Sequence, residues 1–299
     1  MSAIPVVLSF GISDASGASG LAADHIAIAS MGCHAASIVT AITVSDDHGT
    51  AQWLPLDDEW VEGQAQAVLQ DMAISAFKVG ALGSSDQVQP IAAILADYDS
   101  VAVVLDPTLD APLATTDMQA GDDAAQELAL ALRELLLPQA TVLVVNLPQA
   151  RRLVALGNDA GDGDDDDERS HSLPAGACAR DLVAAGAGFV LITDAEPGSA
   201  LVINALYDAS GLVRTDMLPR LEGVSTRVRG AGDTLSAALA GLLAQGLDMP
   251  DAAQEASQYT AAALLNALDV GLGVAIPDRL FWAGEDEDDD TDGVSDARN

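Results

Sequence analysis

Val6-Val7-Leu8-Ser9-Phe10-Gly11-Ile12-Ser13-Asp14-Ala15-Ser16-Gly17-Ala18-Ser19-Gly20 is the stretch from which the fold can be read. Val6 to Phe10 is a short apolar run suited to a buried strand, Gly11 to Gly20 reads as a glycine-rich loop, and a helical pattern starts near Leu21. Strand, loop and helix in that order begin an α/β fold, and the alternation continues. Strand-like runs fall at 4–10, 35–44, 74–79, 101–105, 141–145 and 188–193; helical patterns fall at 20–31, 58–71, 85–97, 122–136, 147–156 and 174–186. Runs at 200–207 and 211–218 flank Asp208-Ala209-Ser210-Gly211 as a hairpin, and helices at 231–245 and 250–267 follow. This order predicts a mostly parallel central sheet with helices on both faces, a three-layer α/β/α sandwich forming one domain over 1–283. Ligands in such sheets bind beyond the carboxyl ends of the strands. The segments at Gly11, Ser45, Asp106, Asn146 and Gly230 are therefore expected along one edge.

A second stretch, Arg229-Gly230-Ala231-Gly232-Asp233-Thr234-Leu235-Ser236, carries the chemistry. Leu235, Leu239, Leu242 and Leu243 recur at helical spacing after it, so a glycine turn opens an amphipathic helix. Successive N–H groups over Gly230, Ala231, Gly232 and Asp233 at a helix start form a pocket for an oxyanion. Asp233 at its mouth is suited to take a proton from a hydroxyl that attacks a phosphoryl group. The structural alternative is a capping turn without chemistry. The first glycine loop fits neither the dinucleotide fingerprint nor the P-loop, and the chain has no G-x-x-x-x-G-K-[ST]. Its single lysine is Lys78, so any nucleoside triphosphate is handled without a Walker lysine.

Charge narrows the partners. The chain has 46 acidic and 12 basic residues, a formal net charge of −34. An acidic inserted loop at 157–170 and an acidic tail at 284–299, both expected to be disordered, hold part of this excess, which also extends over the rest of the chain. Molar salt shortens the Debye length to about 3 Å and would screen the repulsion, so a halophilic source is expected; an acidic protein with disordered tails is the alternative. No basic stripe exists to displace counterions from nucleic acid. No stretch approaches the roughly 18 apolar residues of a membrane span. Cys33 and Cys178 are too few for a disulfide framework or a metal site and read as small buried residues in a reducing cytoplasm.

Ser16-Gly17-Ala18-Ser19-Gly20-Leu21-Ala22-Ala23-Asp24, Phe77-Lys78-Val79-Gly80-Ala81-Leu82, Val103-Val104-Leu105-Asp106-Pro107, Val145-Asn146-Leu147-Pro148 and Gly230-Ala231-Gly232-Asp233-Thr234-Leu235-Ser236 follow one another in a familiar order. In this the chain resembles the hydroxymethylpyrimidine/phosphomethylpyrimidine kinases of thiamine biosynthesis, within the ribokinase-like superfamily, from about residue 4 to about residue 282. The resemblance implies a ribokinase-like fold, ATP and Mg²⁺, a pyrimidine alcohol as acceptor and a homodimer. It implies that Asp24 hydrogen-bonds the aminopyrimidine, with Gly11, Val44, Ser45 and Gly80 around the substrate. It implies that Asp106, Asn146, Thr193 and Arg229 attend the nucleotide, Asp106 also near Mg²⁺, and that Asp233 is the base.

The chain departs from that family in several places. Ser45 stands where a glutamine is usual, Gln149 replaces the glutamate of an Asn-x-x-Glu motif, and Asp233 takes a position often held by cysteine. Thr193-Asp194 replaces a lysine-glycine pair, removing a cation and adding an anion where phosphate is expected. A pyridoxal or pyridoxine kinase of the same fold, and a catalytically silent ligand-binding homologue, remain open alternatives.

Overall fold

The computed structural model describes residues 4–46, 49–109, 118–158, 172–220 and 228–283. Most of the acidic loop and the whole acidic tail read from the sequence lie outside the described residues. Among the described residues nine strands form one sheet in the order β3-β2-β1-β4-β5-β6-β7-β8-β9. The strands are β1 Val6–Asp14, β2 His34–Asp46, β3 Gly49–Pro55, β4 Ala76–Val79, β5 Ala102–Leu105, β6 Val142–Asn146, β7 Phe189–Thr193, β8 Leu201–Asp208 and β9 Gly211–Pro219. Strands β2, β1, β4, β5, β6 and β7 run parallel, while β3, β8 and β9 join antiparallel at the two edges. The α/β sandwich expected from the alternation is the architecture found.

Both faces of the sheet are covered, which is why its strands read as continuous apolar runs. Alternate residues serve opposite cores: Leu143 and Val145 face one, Val142 and Val144 the other. The first core is closed by α2 Asp58–Leu69, α3 Val88–Ala96, α4 Met118–Ala131, α5 Leu147–Asn158 and α6 Ala175–Ala184. The second is closed by α1 Gly20–Ser30, α7 Ala231–Ala244 and α8 Met249–Leu265. The helix after the glycine turn differs from the amphipathic expectation: every residue of α7 from Thr234 to Leu242 is buried. It packs between α1, α8 and the sheet, and its small residues Ala237, Ala238, Ala240 and Gly241 allow that close approach; a Cβ on Gly241 would lie 2.8 Å from the Cβ of Met31.

Two sequence expectations are corrected. Gly11 does not begin a loop. Gly11 to Asp14 continue β1, paired with β2 through an irregularity between Gly11 and Ile12, and the turn starts only at Ala15. Ser45 likewise lies on a strand, since β2 continues through it and pairs with Thr50 of β3. β3 was not foreseen, because its mixed run from Gly49 to Pro55 has little periodicity and is held by pairing at a sheet edge.

Candidate active site

The parallel strands deliver their carboxyl ends to one edge, and the chain's polar groups collect there. β6 ends at Asn146, and α5 starts at once. Asn146 N–H donates to Gln149 Oε1 at 3.1 Å, while Gln149 N–H donates to Asn146 Oδ1 at 2.8 Å. This reciprocal pair is a capping box. It explains glutamine at the fourth position locally, since the cap needs an acceptor oxygen and not a charge.

Across the cleft, Gly230 has φ +87°, and the first bond of α7 runs from Thr234 N–H to the Gly230 carbonyl at 3.0 Å. The N–H groups of Ala231, Gly232 and Asp233 therefore lie in the opening turn, ahead of the intrahelical ladder. Asp106, just past β5, accepts from Ser236 Oγ at 2.6 Å, and its Oδ2 lies 4.0 Å from where a Cβ on Gly232 would stand. A cavity of 250 Å³ joins these parts; Asp106, Asn146, Gln149, Thr193, Gly232 and Asp233 are among its lining residues, and among the described residues the lining includes no lysine or arginine. Beside it an apolar slot of 150 Å³, lined by Val202, Leu218, Pro219, Leu235, Leu264 and Leu265 among others, shares Thr193 and Gly232 with the cleft. A larger surface groove of 590 Å³ runs between α2 and α3 and shares no residue with either.

Behind Asp233 lies a buried polar cluster around Lys78, a residue to which the sequence reading gave no role. Lys78, on β4 and wholly buried, sits 2.5 Å from Asp24 Oδ1 and 3.1 Å from Asp233 Oδ1. Asp24, also fully buried, accepts a second bond from Ser9 Oγ at 2.5 Å. Asp233 Oδ2 accepts from the Gly20 N–H at 3.1 Å, which ties the first glycine loop to the second. Gly80 borders the cluster, a Cβ there meeting Lys78 Nζ at 3.4 Å, and a Cβ on Gly11 would meet Asp24 Oδ2 at 3.9 Å.

These charges shift one another. Burial pushes the Asp24 carboxyl up to about 6, opposed by Lys78 and reinforced by the charge of Asp233. Lys78 is pushed the other way from a buried lysine: burial disfavours its charge, but Asp24, Asp233 and Asp106 together raise it above the ordinary value. Burial also raises Asp106, with Lys78 opposing and Asp233 adding.

Arg279 completes the frame and was missed by the sequence reading. Almost fully buried, it donates from Nη2 to the Ala18 carbonyl at 2.7 Å and the Gly230 carbonyl at 3.3 Å, and from Nε to Thr234 Oγ1 at 2.8 Å. It thereby clamps both glycine loops. A lysine inside an apolar strand was a readable signal; an arginine after the last helix offered none.

Other expected site residues fall elsewhere. Arg229 pairs with buried Asp14 at 3.2 Å. Burial is the largest influence on Asp14 and raises it, but hydrogen bonds from Ser19 and Ser16 and the charge of Arg229 outweigh it, so the carboxyl lies below its usual range. Asp194 is not the loose anion that the sequence suggested at the phosphate position. It takes the left-handed conformation, φ +47°, where a glycine is easier, and pairs with Arg220 at 2.6 Å, which removes its charge from the cleft. Val44 is 55% exposed on the β2–β3 hairpin. Its neighbour Ser45 continues the same strand, two residues beyond the Asp14–Thr43 pair that ends β1; the Ser45 side chain lies outside the described parts.

With this geometry in hand, known proteins can be compared. The profile of a family described as phosphomethylpyrimidine kinase matches residues 14–278. The chain is 33% identical to the hydroxymethylpyrimidine/phosphomethylpyrimidine kinase of Mycobacterium tuberculosis, covering 93% of this chain and 94% of that one. It is 30% identical to the protein of the same name from Escherichia coli, over 87% of this chain and 92% of that one. Among solved structures, an ADP complex of Bacillus subtilis pyridoxal kinase aligns with a TM-score of 0.74 at 25% identity, over 94% and 99% of the two chains.

Proposed function

Because the chain belongs to the phosphomethylpyrimidine kinase family, and is therefore a kinase, we propose that it moves the γ-phosphoryl group of ATP to the primary hydroxyl of 4-amino-5-hydroxymethyl-2-methylpyrimidine, of its monophosphate, or of both, in thiamine biosynthesis. The observation that carries this reading is Asp233 in the open first turn of α7, at the wall of a 250 Å³ cleft that Asp106 and the Asn146–Gln149 cap of α5 also line. The apolar slot suits a nucleobase, and the shared residues Thr193 and Gly232 lead from it to the cleft for the phosphates. Asp233 accepts the proton of the attacking hydroxyl, and the N–H groups of Ala231 to Asp233 stabilise charge that develops on the transferring group. Asp24, expected to hold the ring of the acceptor, is fully buried with its two oxygens engaged by Lys78 and Ser9, so in this structure it braces Lys78 and presents no surface to a ring.

The donor set fits a divalent cation. The cleft offers two carboxylates, Asp106 and Asp233, with the oxygens of Asn146, Gln149 and Thr193. Among the described residues no group of three or more His, Cys, Asp or Glu could hold a metal alone. That suits Mg²⁺, which binds through one or two carboxylates together with phosphate oxygens and water. Asp106 would hold it, and when bound it would offset the charge of the nucleotide phosphates.

Pyridoxal is the second acceptor worth testing, since the Bacillus subtilis neighbour is a pyridoxal kinase. Purified protein with ATP and Mg²⁺ in concentrated KCl is expected to phosphorylate the pyrimidine alcohol with a kcat/KM at least about tenfold above that for pyridoxal, a modest specificity by pocket standards. The reverse order would move the assignment to a pyridoxal kinase, and no turnover with either would leave a ligand-binding protein.

The acidic chain supports a reading of its medium, a saline, reducing cytoplasm. Both cysteines are free and buried, and among the described residues no helix is long and apolar enough to cross a membrane. With a net charge of −34, the melting temperature is expected to rise by about 10 °C or more between low and molar KCl, the shift that roughly 3–5 kcal/mol of relieved repulsion gives a large domain. A flat melting temperature would remove the halophilic reading.

A further inference from the structure

Lys78 is the one lysine in the chain and has no solvent exposure. An ammonium buried in a central strand is costly, and a packed apolar side chain would serve the core better. The position therefore calls for a reason beyond packing. Its Nζ reaches two carboxylates from different helices, Asp24 of α1 and Asp233 of α7, at 2.5 and 3.1 Å. The first is sealed from solvent and the second is 21% exposed at the cleft wall, so a single cation bridges the interior and the reacting edge. The other charged groups that face the cluster are Asp106 beyond β5 and Arg279, which lies close enough to feel both Asp24 and Asp233.

Resting on the phosphoryl-transfer reading above, we propose that Lys78 is a positioning residue that, anchored from within by Asp24, aims the Asp233 carboxylate at the acceptor hydroxyl. Two carboxylates share one ammonium. Asp24, held by Ser9 through its other oxygen, fixes Nζ in place, and Nζ in turn fixes Oδ1 of Asp233. The Asp233 carboxylate is thereby held in one orientation at the cleft wall. No bond is made or broken at Lys78; it acts only through Asp233.

The test compares kcat against pH, at saturating pyrimidine, for Asp24→Asn and for Asp24→Asn/Lys78→Met, with melting temperatures for both. The double variant replaces both partners of a buried ion pair by neutral groups, which avoids the lone buried charge that Lys78→Met alone would leave. The acid limb of the profile is expected to lie about one pH unit or more higher in the double variant. At pH 7 its kcat should be about tenfold lower, with KM for ATP within about twofold. Lys78→Arg in the wild-type background should restore the wild-type acid limb because it keeps the charge. Coincident profiles for the two Asn variants, with only the melting temperature changed, would make Lys78 a core brace and overturn the proposal. A wild-type protein without turnover would sink the kinase reading instead. The Lys78 question is then read from ¹³C-carboxylate NMR titrations of the same pair, where an Asp233 curve unmoved by loss of Lys78 overturns it.

Discussion

Asp233→Ala is expected to lower kcat by about 10³–10⁴-fold while leaving the affinity for the pyrimidine and for ATP within a few-fold, the pattern for loss of a general base used only in the transition state. The geometry argues that the fold survives. Lys78 keeps Asp24 as a partner at 2.5 Å when Asp233 is cut back, so no buried cation is stranded. Only the Gly20 N–H, on a buried residue, is left without its acceptor, a cost of about 1–3 kcal/mol that a large domain tolerates. Asp233→Asn is the sharper control, because it keeps an acceptor oxygen and the side-chain volume while removing the charge and the ability to take a proton. Steady-state kinetics with calorimetric binding of the pyrimidine check both variants. If either kept turnover within tenfold of wild type, Asp233 would be a capping residue and the base would have to be sought elsewhere.

Gly230→Ala is expected to act on fold and activity together. Its φ of +87° disfavours any side chain, at about 1–2 kcal/mol. A Cβ there would lie 1.8 Å from the Ala18 carbonyl oxygen and 2.6 Å from Arg279 Nη2. The first is backbone and the second belongs to the buried clamp on both loops, so neither can yield cheaply. Strain and overpacking together give a loss of about 2–5 kcal/mol, read as a lower melting temperature and denaturant midpoint. Relief requires the α7 turn and the Ala15–Gly20 segment to part, and a displacement near 1 Å costs about 10²-fold in turnover. Gly232→Ala separates the causes: its Cβ would meet nothing nearer than Asp106 Oδ2 at 4.0 Å, and Gly232 has no positive φ. That variant should fold like the wild type. Equal stability of the two alanine variants would show that the Gly230 turn is not fixed by contact with Ala18.

Local sequence was enough to determine the α/β sandwich. Val142 to Val145 had to be apolar at every position because both faces of their strand are covered, and an unbroken apolar run is visible without coordinates. The glycine turn at Gly230 was legible for a similar reason, since a glycine pair before a helical pattern encodes its own backbone geometry. Tertiary structure alone decided what those elements bring together. Lys78 meets carboxylates 54 and 155 residues away, and Arg279 reaches a carbonyl 261 residues away; strand order sets such meetings, and hydropathy periodicity does not encode strand order. The same holds for Asp194, whose charge was readable but whose direction was fixed by Arg220 at the end of another strand. Periodicity records which face of an element is buried, whereas the partner of a buried charge is chosen by contacts distant in sequence, and in this chain the site is made of such contacts.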